Sequence, residues 1–123
     1  MDNYAIVDAL SGVYYLATTE NDQPHVRPFD GATIVDDKFY IATTNKKKVY
    51  DQILKNPKIE IFGMESGMIR FTAEAYAVEN EDLGREVYDA LGKDFCDGAV
   101  AIELRNLNGS LTDKMGEKTE FSF

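Results

Sequence analysis

Phe39-Tyr40-Ile41-Ala42-Thr43-Thr44-Asn45-Lys46-Lys47-Lys48-Val49-Tyr50 changes its period half-way along. Phe39 to Thr43 is aromatic and β-branched, which predicts a strand. From Lys46 to Lys55 the apolar residues Val49, Ile53 and Leu54 recur at helical spacing. Thr44 or Asn45 is suited to cap that helix. Asn56-Pro57 ends it, because the residue before proline avoids the α region. A strand that runs into a helix start gathers hydroxyls, open backbone amides and consecutive lysines at one point.

The flanking sequence is mostly β. Upstream, Tyr4 to Leu10 predicts a short helix, stopped by Ser11-Gly12. Val13 to Thr19 predicts a strand, Asn21-Asp22 a turn, and His25 to Phe29 the return strand, continuing through Gly31 to Val35. Asp36-Asp37 turns the chain into the strand at Phe39. Downstream, a strand starts at Ile59, Glu65-Ser66-Gly67 turns, and Met68 to Val78 forms a long strand. Glu81 to Leu91 predicts a helix that Gly84 weakens. Val100 to Leu107 predicts a strand, Asn108-Gly109 a hairpin turn, Ser110 to Lys114 the return and Glu120 to Phe123 a last short strand. Six to eight strands joined mainly by hairpins give a mainly β, largely antiparallel fold with three short helices. Closing the sheet into a barrel would remove its edges.

The 123 residues, 44% hydrophobic and 28% charged, predict one domain spanning 1–123. The net charge of −9 disfavours a phosphate-backbone partner, so no nucleic acid is expected. The sequence has no apolar run long enough for a membrane span and opens without a visible signal peptide. The one cysteine, Cys96, cannot form an internal disulfide, and a reducing, cytoplasmic location is expected.

The chemistry-bearing residues are few. With one histidine, His25, and one distant cysteine, the sequence lacks a nucleophile set, and it has no metal motif or P-loop. In His25-Val26-Arg27-Pro28-Phe29, alternation puts Arg27 on one strand face and Pro28 on the other. Pro28 points to an edge or bulged strand. Spacing leaves Arg27 equally open as an anion or ring contact and as a surface arginine. Thr43, Thr44, Asn45, Lys47 and Lys48 make a candidate phosphate cradle at a helix N-terminus. Three lysines there oppose the helix macrodipole, which argues for a nearby anion over a merely solvated helix start. Arg70 on the long strand is either a ligand contact or an exposed alternate position.

In order and spacing, these segments resemble the pyridoxamine 5'-phosphate oxidase-like FMN-binding split-barrel superfamily. The resemblance runs through Val13-Tyr14-Tyr15-Leu16-Ala17-Thr18, Gln23-Pro24-His25-Val26-Arg27-Pro28-Phe29, residues 39–50, Asn56-Pro57-Lys58-Ile59-Glu60-Ile61 and Ile69-Arg70-Phe71-Thr72-Ala73-Glu74-Ala75. It implies a small, antiparallel, Greek-key-like split barrel, a homodimer and FMN in the groove between two chains. Arg27 and Pro28 match the family's second-strand pair, Thr43 and Thr44 its strand-end hydroxyl position, and Lys47 and Lys48 its phosphate-holding basic pair; Arg70 matches only in alternation. The sequence departs from the vitamin B6 oxidases. Ala32 stands where they have lysine, Met68 or Ile69 where they have glutamine, Ala73 where a glycine is expected, and the chain has no tryptophan. Vitamin B6 oxidation is therefore not expected. The implied activity is FMN-dependent oxidoreduction of a small molecule. The alternatives are a non-catalytic flavin-binding or storage module, a relative holding heme or a deazaflavin in the same groove, and a cofactor-free dimeric scaffold.

Overall fold

The computed structural model describes all of residues 1–123. The chain runs α1 (Asn3–Ala9), β1 (Val13–Glu20), β2 (Gln23–Asp30), β3 (Thr33–Val35), β4 (Lys38–Thr44), α2 (Lys48–Lys55), β5 (Lys58–Gly63), β6 (Met68–Val78), α3 (Glu81–Ala90), β7 (Ala99–Thr112) and β8 (Lys118–Ser122). The eight strands form one sheet in the order β2-β1-β5-β6-β7-β4-β3, with β8 also paired to β7. Every pairing is antiparallel. No helix is long and apolar enough to cross a membrane.

Alternation decides which face is inside. Tyr14, Leu16 and Thr18 of β1 are buried, as are Ile59 and Ile61 of β5 and Ile69, Phe71 and Ala73 of β6. All of these but Thr18 join Ile41, Ile102 and Leu107 in one hydrophobic core, and the sheet curls around them. Ile6 and Leu10 from α1 and Val49 and Ile53 from α2 enter the same core. Each such side chain contributes about 1.5–3 kcal/mol by leaving water. α3 packs on the opposite face of β4 and β7, where Tyr40, Val87 and Ala101 form a second cluster.

Two of the three predicted two-residue turns are present. Asn21 and Asp22 take φ of 52° and 62°, and Asp36 and Asp37 take 50° and 64°. Paired positive φ values fit the twist of a tight hairpin, and Asn and Asp tolerate them. Asp2 caps α1, its carboxylate accepting the Ala5 amide at 3.1 Å.

The structure corrects four local readings. The strand after His25 ends at Asp30; Gly31, at φ 76°, carries the chain to β3 on the opposite edge of the sheet. α2 starts at Lys48 with Lys47 as N-cap, because Thr44 and Asn45 are used in a turn. There the Thr44 oxygens accept the Lys46 and Lys47 amides, and the Asn45 amide donates to Gly98. Asn108-Gly109 is not a hairpin turn but lies inside the long strand β7. A Cβ on Gly109 would sit 2.0 Å from the Arg70 carbonyl oxygen and 2.5 Å from Phe71 Cα, so this glycine permits a close strand crossing. The true turn follows, where Asp113 Oδ1 accepts the Met115 and Glu117 amides, each at 2.9 Å. The residues from Ser110 read as a return strand therefore belong largely to β7, and the last strand is the longer β8.

Candidate functional site

β2 and β3 are the two edges of the sheet, and β2 is not paired with β4. A seam therefore remains where β2 diverges from the end of β4. It holds a cleft of about 290 Å³ lined by Val13, Pro28, Phe29, Asp30, Ala42, Lys47 and Lys93. Pro28 suits this edge because it removes a donor from a strand side that has no partner.

Arg27 precedes the lining residues Pro28 and Phe29 in β2 but does not itself line the cleft; it has the inward parity of β2 with Phe29. Its Nη1 donates to the Leu16 carbonyl at 3.0 Å. Its Nη2 donates to Thr18 Oγ1 at 2.9 Å and to Gln52 Oε1 at 2.6 Å. The Thr18 hydroxyl in turn donates to Gln52 Oε1 at 2.5 Å. Guanidinium has five N–H donors, so two remain uncommitted after these three bonds. All of its acceptors are neutral, and partial burial pulls its pKa below the ordinary arginine value. A half-buried cation with no carboxylate beside it is an electrostatic vacancy for an anion.

Gln52 is buried on α2, and Lys48 lies one turn earlier on the same face. Arg27 thus grips the helix that presents Lys48. Lys47, the N-cap, gives no side-chain oxygen to the first turn of α2, so those amides have no side-chain cap. Neither Lys47 nor Lys48 is in an ion pair, whereas Lys46 pairs with Asp97 at 2.9 Å. That bond raises the Lys46 pKa and lowers that of Asp97. The lysine triplet is therefore divided: one member ties the helix start to the loop before β7, and two form no ion pair, with Asp51 the acidic residue of the first turn.

The other sequence candidates fall in different places. Thr43 shares the parity of Phe39 and Ile41, is 3% exposed, and its Oγ1 has no hydrogen-bond partner. Its carbonyl accepts the Tyr88 hydroxyl. Thr44 and Asn45 shape the turn into α2. Arg70 is not brought to the cleft. It lies on the outer face of β6, 4.9 Å from the Phe62 ring centroid and 3.6 Å from Glu60.

Sequence reading missed Thr18, Gln52 and Lys93. A threonine following Tyr14 and Leu16 in the inward series, and a glutamine on the buried stripe of a helix, are signals of a buried polar network. Lys93 carries no such signal; it reaches Asp30 from 63 positions away.

A larger cavity of about 470 Å³ lies between α3 and the loop before β7, adjoining the start of α2 through the Lys46–Asp97 and Tyr50–Glu79 contacts. Glu79, Glu81 and Asp97 line it against one cation, Arg85, so its charge opposes an anionic ligand.

An open-seamed antiparallel barrel with a cationic cleft is the class of molecule these features define. The family model described as pyridoxamine 5'-phosphate oxidase matches residues 6–111, and the chain belongs to that family. Within it, the chain is similar to the small NimC/NimA form. It shares 33% identity with a solved NimC/NimA family protein from Clostridium acetobutylicum, over 98% of this chain and 89% of that one, at a TM-score of 0.84. General Stress Protein 26 from Bacillus anthracis has the same fold at 19% identity, covering 96% and 95% of the two chains at a TM-score of 0.67. So does a pyridoxamine 5'-phosphate oxidase-related, FMN-binding protein from Nostoc punctiforme, at 13% identity, 98% and 90% coverage and a TM-score of 0.60. No curated protein matches the chain.

Proposed function

We propose that the chain binds FMN in the seam cleft as a homodimer and acts as a flavin-dependent oxidoreductase on a small molecule. One observation carries the reading: Arg27, half-buried without a carboxylate, grips the helix that starts with the unpaired Lys47 and Lys48. A phosphomonoester brings nearly two negative charges and three acceptor oxygens to such a donor set. The residues present therefore fit the cofactor's phosphate. Lys47, Lys48 and the uncapped amides of α2 would hold it, and Pro28 and Ala42 would wall the ring. Arg27 positions α2 and keeps two donors for the ligand. Thr44 and Asn45 act by shaping the turn, and the Thr43 hydroxyl by lining the strand end. Bound FMN would supply the electron transfer; the chain supplies binding, orientation and charge.

The cleft volume supports pairing of two chains. About 290 Å³ lies at the lower limit of cofactor sites, so one chain offers a partial enclosure. The outer face of β1, β2 and β6 exposes Val13, Tyr15, Val26 and Met68, an apolar patch suited to a second copy. Tyr15 sits on this face directly between Pro28 and Phe62, and Phe62 is paired with Arg70. In a dimer Arg70 would then serve the interface or the partner's cleft.

The test is direct. Purified protein incubated with FMN and desalted should elute yellow, with a flavin absorption spectrum, and consume a nicotinamide donor when given an electron acceptor. A colourless product counts against the reading. Yellow protein without nicotinamide consumption supports a flavin-storage module, and a different visible spectrum a heme or deazaflavin.

A further inference from the structure

Lys93 is the second lysine in the seam cleft, and its backbone is fixed. α3 ends in a Schellman motif in which Gly92, at φ 67°, donates to Asp89 at 3.0 Å and the Lys93 amide donates to Tyr88 at 2.9 Å. From that anchor Lys93 Nζ crosses to the end of β2, donating to Asp30 Oδ1 at 2.7 Å and to the Asp30 carbonyl at 3.1 Å. Both side chains line the cleft with Lys47. Their exposures, 31% for Lys93 and 63% for Asp30, mark a pair that water reaches. Such pairs are weak and exchange partners readily.

We propose that Lys93 and Asp30 form a counter-ion exchange that makes the cleft selective for a phosphorylated flavin over its uncharged parent. Asp30 competes with an anionic ligand for Lys93. A ligand with nearly two negative charges draws the ammonium away from Asp30, and a neutral ligand cannot. Lys93 then adds to the charge of Lys47 and Lys48. Asp30 has the opposite effect, because its carboxylate repels the same phosphate. This inference rests on the flavin-binding reading above.

Two roles predict different signs. If the pair were only a latch across the seam, breaking it from either side would have the same effect on binding. In the exchange, Lys93→Met weakens FMN binding and Asp30→Asn strengthens it.

The experiment is a fluorescence-quenching titration of the full chain with FMN and, separately, with riboflavin, for the native protein, Lys93→Met, Lys93→Arg, Asp30→Asn and Lys47→Ala. The expected result is about tenfold weaker FMN binding for Lys93→Met and a severalfold gain for Asp30→Asn. Lys93→Arg should lie near native, and riboflavin binding should change little in all variants. Thermal unfolding of each variant confirms that it is folded. FMN affinities that shift in the same direction for Lys93→Met and Asp30→Asn, or do not shift while Lys47→Ala weakens binding, overturn the exchange and leave the flavin reading standing. Absence of FMN binding by the native protein overturns both.

Discussion

Arg27 Nη2 lies 2.6 Å from Gln52 Oε1, so the edge strand β2 grips the middle of α2. The same guanidinium also holds the Leu16 carbonyl and the Thr18 hydroxyl, tying β1, β2 and α2 at one point. Position and charge are thereby coupled: the residue that fixes the helix bearing Lys48 is itself a cation whose bonds all run to neutral acceptors.

Arg27→Met should therefore harm folding and binding together. It strips charge-assisted bonds from the Leu16 carbonyl, Thr18 and Gln52, and a loss of about 2 kcal/mol in urea unfolding is expected. FMN affinity should fall at least tenfold. Arg27→Lys restores a charge but not the fork that reaches three acceptors, so it should recover little of either.

Gly109→Ala tests the strand crossing. The added Cβ meets backbone atoms of Arg70 and Phe71, which cannot rotate away. A loss of about 3 kcal/mol or more is expected in thermal or urea unfolding, at the upper end for overpacking. Gly116→Ala is the comparison: open space surrounds it, so only the strain of its positive φ of 86° is felt, and the loss should be smaller, about 1–2 kcal/mol.

Tyr15→Glu should separate the proposed dimer. Tyr15 is 48% exposed on the apolar outer face, so the change adds a charge without entering the core. Sedimentation should show a shift toward monomer, and FMN binding should weaken with it. A dimer unchanged in mass would place the interface elsewhere.

Acid should destabilise the fold in part through Glu74. Bonds from the Tyr76 hydroxyl and the Asn106 amide hold its pKa below the ordinary value of 4.5. For a depressed carboxylate, the stabilisation is complete above the ordinary value and is lost as pH falls through the lower folded value. The urea midpoint should drop below about pH 4.5, and Glu74→Gln should show a shallower drop over that range.

Much of the fold was legible because its signals are local. Alternation at Tyr14, Leu16 and Ile69, Phe71, Ala73 marks inward faces, and Asn21-Asp22 and Asp36-Asp37 mark tight turns. Asn108-Gly109 misled because the same dipeptide serves a hairpin or a close crossing, and only the position of β6 decides between them. The end of β2 was similarly hidden, since the exchange of sheet edges at Gly31 depends on the whole sheet order. At the site, the lysine triplet was visible as a charge cluster, but its division was not: Asp97, 51 positions from Lys46, neutralises only that member. Arg27 was visible as a residue but not as a brace, because its partners come from β1 and α2.

On the proposed reading, unpaired charge at the start of α2 binds the phosphate of FMN. Titration of the native protein and of Lys48→Ala with FMN, followed by quenching of flavin fluorescence, tests it most directly. Saturable quenching by the native protein is expected, weakened about tenfold by Lys48→Ala and further weakened by added salt. Quenching of equal affinity in both proteins, or none in either, would contradict it.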